Sequence, residues 1–140
     1  DIKSIFPYTI IQKPVEDEIY YYEGHDFFNF SPIAELPFFI IKDAFPVSPG
    51  HLLIISNIVR KDYFELSEKE KNELNTTIEL AKSIIEKEHK PDGYNIGMNC
   101  GESSGQTVFH FHCHLLPRYK GDMENPRGGI RHCINGKGYY

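Results

Sequence analysis

The 140-residue chain has no tryptophan, two methionines and three cysteines. Cys100, Cys113 and Cys133 are too few and too scattered for a disulfide framework, and without a C-x-x-C pair a zinc finger is excluded on spacing. Free thiols fit a reducing, intracellular setting. Basic charge is also short: 15 Lys+Arg against 20 Asp+Glu leave a net charge of -5. The chain therefore lacks the global field of a non-specific nucleic-acid binder, and no nucleic-acid partner is expected. A local phosphate site stays open, because backbone N–H groups and imidazoles need no positive total charge. Long apolar runs are missing too: Phe38–Ile41 and Leu52–Ile55 are far too short to span a bilayer. The first residues, DIKSIFPYTIIQKP, carry no basic region leading into an apolar stretch, so no secretory signal is expected. A cytoplasmic protein without a membrane partner is the expectation.

Enough apolar residues are present for a core: 40% of the chain is hydrophobic and 14% aromatic. One domain over 1–140 is expected, with N-terminal strands and loop over 1–36, a core over 37–118 and a tail over 119–140. Ile19–Glu23 and Phe27–Phe30 read as a hairpin or two short strands around Gly24, His25 and Asp26. Phe38–Lys42 and Leu52–Ser56 read as strands, the second with the continuous apolar run of a buried one. The period then changes. Ser67 followed by Glu70 is a capping-box pattern, and Leu74, Ile78, Ala81 and Ile85 recur at helical spacing. A helix is expected from about Ser67 to Glu88, ended by Pro91-Asp92-Gly93. Tyr94–Asn99 and Val108–Leu116 read as further strands around the polar loop Gly101–Gly105. Strands on both sides of one long helix point to an α+β fold, with a mainly antiparallel sheet covered by helix on one side.

The chemistry concentrates in Gly105-Gln106-Thr107-Val108-Phe109-His110-Phe111-His112-Cys113-His114-Leu115-Leu116. Period-two alternation puts His110, His112 and His114 on one face and Phe109, Phe111, Cys113 and Leu115 on the other. A lone histidine is more often structural than functional; three at strict period two reverse that balance. Two chemistries use such a stripe. One is metal binding, although the outer Cα atoms lie roughly 13 Å apart along a strand and converge poorly on one ion. The other is covalent catalysis at phosphorus. Neutral imidazole is a good nucleophile, and its ordinary pKa of about 6.5 keeps it neutral at cytoplasmic pH. His112 would attack, with its neighbours orienting it and handling protons and phosphate charge. Gly101, Ser103, Ser104 and Gly105 would allow close backbone approach, and Gln106 and Thr107 would offer donors.

His110-Phe111-His112-Cys113-His114-Leu115-Leu116, preceded by Gly-Gln-Thr-Val and followed by Pro117-Arg118, resembles the signature of the histidine triad (HIT) family. Asp43-Ala44-Phe45-Pro46-Val47-Ser48-Pro49-Gly50-His51-Leu52-Leu53-Ile54 resembles that family's ribose-binding loop and strand. The likeness covers about residues 38–118, and Gly121–Arg131 is similar to bacterial members. It implies a HIT-like fold: a mainly antiparallel five-stranded sheet with one long helix and a short one, pairing into a two-fold homodimer. It implies a Hint- or Fhit-like nucleotide hydrolase, with an adenine nucleotide as substrate. His112 would form a covalent nucleotidyl-histidine, His114 would bond the phosphoryl oxygens, His110 would assist positioning and proton traffic, and His51 would support the triad. Asp43 would accept from the ribose hydroxyls; Asn99, Gly105, Gln106 and Thr107 would serve the phosphate side, and Ile41 and Leu53 would wall the base.

The family's N-terminal cysteine zinc pair is missing, since Ile5-Phe6-Pro7-Tyr8 stands there, so no structural metal is expected. No cofactor is required, although magnesium can come with a polyphosphate substrate. The stretch between Tyr22 and Phe38 is longer than usual in the family. A third histidine at 114, where the family's nucleotidyltransferases have glutamine, favours hydrolysis over transfer. The following Pro117-Arg118 resembles the dinucleoside-polyphosphate branch more than the phosphoramidase branch, and a nucleotide-binding module without turnover is the rival from another class. Arg118, Lys120, Arg127 and Arg131 are read either as a basic rim or as a solvated loop, and Tyr139 and Tyr140 as a frayed terminus.

Overall fold

The computed structural model describes residues 10–11, 21–22 and 36–140. Its elements are strands β1 (Ile10–Ile11), β2 (Tyr21–Tyr22), β3 (Phe38–Lys42) and β4 (Leu52–Ser56), helix α1 (Glu68–Glu88), and strands β5 (Gly93–Gly97) and β6 (His112–Arg118). Short 3-10 turns cover Tyr63–Glu65, Glu102–Ser104 and Gly129–Cys133. The fold is α+β with a mainly antiparallel sheet, as expected, and among the described residues every strand pair is antiparallel. Among the described residues the sheet differs in size: its order is β3-β4-β6-β5, four strands rather than five, and β1 and β2 form a separate pair. Among the described residues the short partners of α1 are 3-10 turns, not a second α-helix. Tyr21–Tyr22, inside the expected strand Ile19–Glu23, pairs with Ile10–Ile11. The expected strand Phe27–Phe30 lies outside the described residues.

The capping box forms as read. Ser67 Oγ accepts from Glu70 N–H at 3.1 Å, and Glu70 Oε1 accepts from Ser67 N–H at 2.7 Å. Leu74, Thr77, Ala81 and Ile85 are buried along one stripe of α1, which packs on β3, β4 and β6. Cys113, Leu115 and Pro117 form the buried half of β6, alternating with His112, His114, Leu116 and Arg118. Burial raises the Cys113 thiol to a pKa of about 12, so it packs as an inert hydrophobe.

β6 starts at His112, four residues later than the expected Val108. The reason lies in its neighbour. Ile55 opposite His112 is the last register pair with β4, and for the residues before His112 the ladder loosens to one long bond, from Ser56 N–H to the Phe111 carbonyl at 3.4 Å. They turn instead onto the segment after β4, where Phe111 N–H donates to the Arg60 carbonyl at 2.5 Å. Gly50, between β3 and β4, needs its residue type twice over. Its φ is +90°, and a Cβ there would lie 3.0 Å from His89 Cδ2 and 3.3 Å from Pro117 Cγ.

Candidate active site

The register assembles the site. Ile41 pairs with Leu53, Leu53 with His114 and His114 with Gly97, so these four form one row across the sheet on one face. The next row is Phe39, Ile55 and His112. Ile41 and Leu53, expected to wall a base, are thus cross-strand neighbours of the triad, and both are buried. Gly97 adds no side chain beside His114. Asp43 and His51 stand at the facing ends of β3 and β4, where Asp43 N–H donates to the His51 carbonyl.

Three contacts settle the imidazole tautomers. Val47 N–H donates to His51 Nδ1 at 3.2 Å, so the His51 proton is on Nε2. His51 Nε2–H then donates to His114 Nδ1 at 2.9 Å, with Asp43 Oδ2 3.4 Å away. This leaves the His114 proton on Nε2. His112 Nδ1–H donates to the His110 carbonyl at 2.9 Å, because a carbonyl only accepts, so Nε2 is the basic nitrogen of His112. The His112 and His114 rings meet edge to face at 5.4 Å. Burial, with His112 and His51 nearby, lowers the His114 pKa to about 4 even though Asp43 opposes it, so His114 is neutral at pH 7. His51 is also lowered, by burial and against the pull of Asp43.

His110 departs from the three-on-one-face picture. It precedes β6, is fully buried, and donates from Nε2 to the Ser56 carbonyl at 2.8 Å. Burial lowers its pKa as well. Gln106 departs too. Instead of facing a ligand it is buried: Oε1 accepts from Gly101 N–H at 2.7 Å, and Nε2 donates to the Lys61 and Val108 carbonyls at 2.6 and 3.2 Å. The N–H groups of Gly105 and Gln106 close the turn onto Glu102 and Gly101. Asn99, Gly105 and Thr107 are exposed on the loop between β5 and β6.

Asp43, His51 and His114 offer one donor atom each within 4.8 Å of one another, a spacing that could suit a metal ion. His51 opposes that use. Its Nδ1 accepts from Val47, so Nε2 is a proton donor and would ligate only after losing that proton. The sequence reading missed Val47 and Ser56 because they act through main-chain atoms, which leave no side-chain signal.

A cavity of about 320 Å³ lies farther along β6, lined by Leu116, Arg118, Ser48, Met123, Pro126 and His132. Its floor shares the face of His114 by alternation. The tail that walls it is ordered. Arg118 grips Asp122 through Nε and Nη2 at 2.8 Å each and Asn95 through Nη1 at 2.6 Å. Arg127 and Arg131 sit over the Tyr140 ring at 4.6 and 5.0 Å, and Tyr139 stacks edge-on with His132. Tyr139 and Tyr140 are thus held by ring contacts rather than frayed, while Lys120, Arg127 and Arg131 stay exposed.

Residues 35–121 match the family described as the HIT domain. An uncharacterised HIT-like protein of Saccharolobus solfataricus is 32% identical over 98 residues, 70% of each chain. A bis(5'-adenosyl)-triphosphatase of Dictyostelium discoideum is 33% identical over 87 residues, 62% of this chain and 58% of that protein. Against several other curated relatives the match spans between 43% and 63% of their length. The crystal structure of a HIT family protein from Bacillus anthracis is similar at a TM-score of 0.60 and 28% identity, over 86% of this chain and 71% of that one. With the family match running through the triad and both strands that flank it, the chain belongs to the histidine triad (HIT) family.

Proposed function

We propose that the chain is a nucleotide phosphohydrolase that works through a covalent nucleotidyl-His112 intermediate, with residues 37–118 as its catalytic core. The observation that carries this reading is the 2.9 Å bond from His112 Nδ1–H to the His110 carbonyl. It presents Nε2 as nucleophile and stabilises the positive charge that the ring gains on attack. In the first step Nε2 attacks the α-phosphorus, the N–P bond forms, and the P–O bond to the leaving group breaks. The electron pair leaves with that oxygen. In the second step water attacks phosphorus and the N–P bond breaks. Nucleoside monophosphate is released, the pair returns to His112, and the proton of the water passes to solvent.

The leaving group we favour is a polyphosphate anion, as in dinucleoside polyphosphates such as diadenosine tetraphosphate. Such a group departs without a proton, whereas an amine must be protonated to leave. His114, neutral at pH 7 with its pKa at about 4, donates a hydrogen bond to phosphoryl oxygens but is a weak proton source. The name of the Dictyostelium relative points the same way. The cavity beside Leu116 and Arg118 gives room for a second nucleoside. Asp43 serves the ribose, and Asn99 and Thr107 the phosphates. Magnesium, when present, comes with the polyphosphate. The reading extends to a cytoplasmic homodimer, supported by the free cysteines and by β5 standing at a sheet edge.

The test is intact-mass spectrometry of wild type and His112→Ala mixed with diadenosine tetraphosphate and, separately, with an adenosine phosphoramidate. Turnover of the first substrate, lost by about 10³-fold or more in the variant, is the expected result. Turnover of the phosphoramidate alone would replace the leaving group in this reading, and near-normal activity of His112→Ala would remove the mechanism. Adenosine monophosphate bound without turnover of either conjugate would favour the binding-module rival.

A further inference from the structure

The segment Ser56–Lys61, which begins at the last residue of β4, holds Gln106–Phe111 through its main chain. Gln106 Nε2 donates to the Lys61 carbonyl at 2.6 Å, and Phe111 N–H to the Arg60 carbonyl at 2.5 Å. His110 Nε2 donates to the Ser56 carbonyl at 2.8 Å, and Ser56 N–H to the Phe111 carbonyl at 3.4 Å. The place of the His110 carbonyl, which receives His112 Nδ1–H, therefore depends on where this segment's backbone lies. One side chain ties the segment to the helix: Arg60 Nε donates to Glu70 Oε1 at 2.9 Å.

Glu70 does more here than cap a helix. The capping role needs one acceptor for Ser67 N–H, which a glutamine supplies equally well. Yet Glu70 is only 4% exposed, and among the described residues its Oε2 is buried with no hydrogen-bond partner. A carboxylate so placed is retained at a cost, and the Arg60 guanidinium is the charge that offsets it.

We propose that the Arg60–Glu70 pair is a latch that positions the nucleophile. Neither residue touches reacting atoms. The pair holds the Arg60 carbonyl, through it Phe111 and the His110 carbonyl, and so the tautomer and ring direction of His112. The inference rests on His112 being the nucleophile.

The test uses Glu70→Gln, which keeps the capping acceptor, and Arg60→Met, which keeps the apolar stem. Ala81→Gly, in the buried stripe of α1 remote from the latch, supplies destabilisation without touching it. Two readouts are taken on the full chain: kinetics with diadenosine tetraphosphate, and ¹⁵N resonances of the imidazoles, which report Nδ1–H against Nε2–H without turnover. Each latch variant is expected to lose about tenfold in kcat with KM nearly unchanged, and the double variant no more than either single one. The His112 resonances are expected to move toward a tautomer mixture in both variants and to stay in place in Ala81→Gly. Unchanged His112 resonances in both latch variants, or an equal kcat loss in Ala81→Gly, would overturn the latch. A wild type without turnover removes the functional reading instead, and the resonances then decide the latch alone.

Discussion

His51, His112 and His114 are the same side chain put to three uses by what each ring nitrogen meets. Val47 N–H commits His51 to donate, His51 commits His114 to accept at Nδ1, and the His110 carbonyl commits His112 to be basic at Nε2. Removing the relay should cost rate rather than binding. His51→Ala is expected to lower kcat by about tenfold, the equivalent of one hydrogen bond worth roughly 1.4 kcal/mol, with KM little changed. Steady-state kinetics checks it; a KM change with kcat intact would place His51 in substrate binding instead. At this scale the sequence was legible where a side chain acts directly, as at His112 and His114. It was illegible at Gln106, whose amide looks ready for a phosphate but is consumed by three main-chain partners.

Among the elements, α1 was the most legible, since a capping box and a 3.6-residue stripe are local signals. Its start predicts its own sensitivity: Ser67→Ala is expected to lower stability by about 1 kcal/mol, read from urea unfolding. The β3–β4 connection is sensitive for a different reason. Gly50→Ala forces a Cβ into a left-handed backbone at φ +90° and within 3.0 Å of His89, so a loss of about 1–2 kcal/mol is expected. A neutral result would mean the loop adjusts without moving His51. β6 was legible in its alternation but not in its beginning. Period two continues through His110 in the sequence, whereas the strand begins only at His112, because Phe111 N–H has turned to the Arg60 carbonyl.

For the whole molecule, the imidazole shifts make stability depend on pH. His114, His110 and His51 have folded-state values below the ordinary 6.5, His114 at about 4. Between those limits the unfolded chain binds protons that the folded chain refuses. Stability should be complete above about pH 6.5 and fall as pH drops toward 4. Asp122, held at about 2 by Arg118, acts on the same side: its contribution is present above 3.8 and lost as pH falls through about 2. Urea midpoints across pH 4–8 check the trend, and His114→Gln should flatten its upper part. A midpoint that rises on acidification would contradict the burial of these neutral rings.

What the sequence determined by itself was whatever repeats at a local period: the α1 stripe and cap, the apolar strands, the alternation of β6, and the triad spacing that carries the family resemblance. What only the tertiary structure decided were relations between distant residues: the row Ile41, Leu53, His114 and Gly97, the four-stranded sheet, the burial of His110 behind Ser56, and the ordered tail around Tyr140. The physical reason is that a tautomer or a register is fixed by its partner across the fold. Val47, Ser56 and Arg60 supply those partners through main-chain groups that every residue carries, so no residue type announces them.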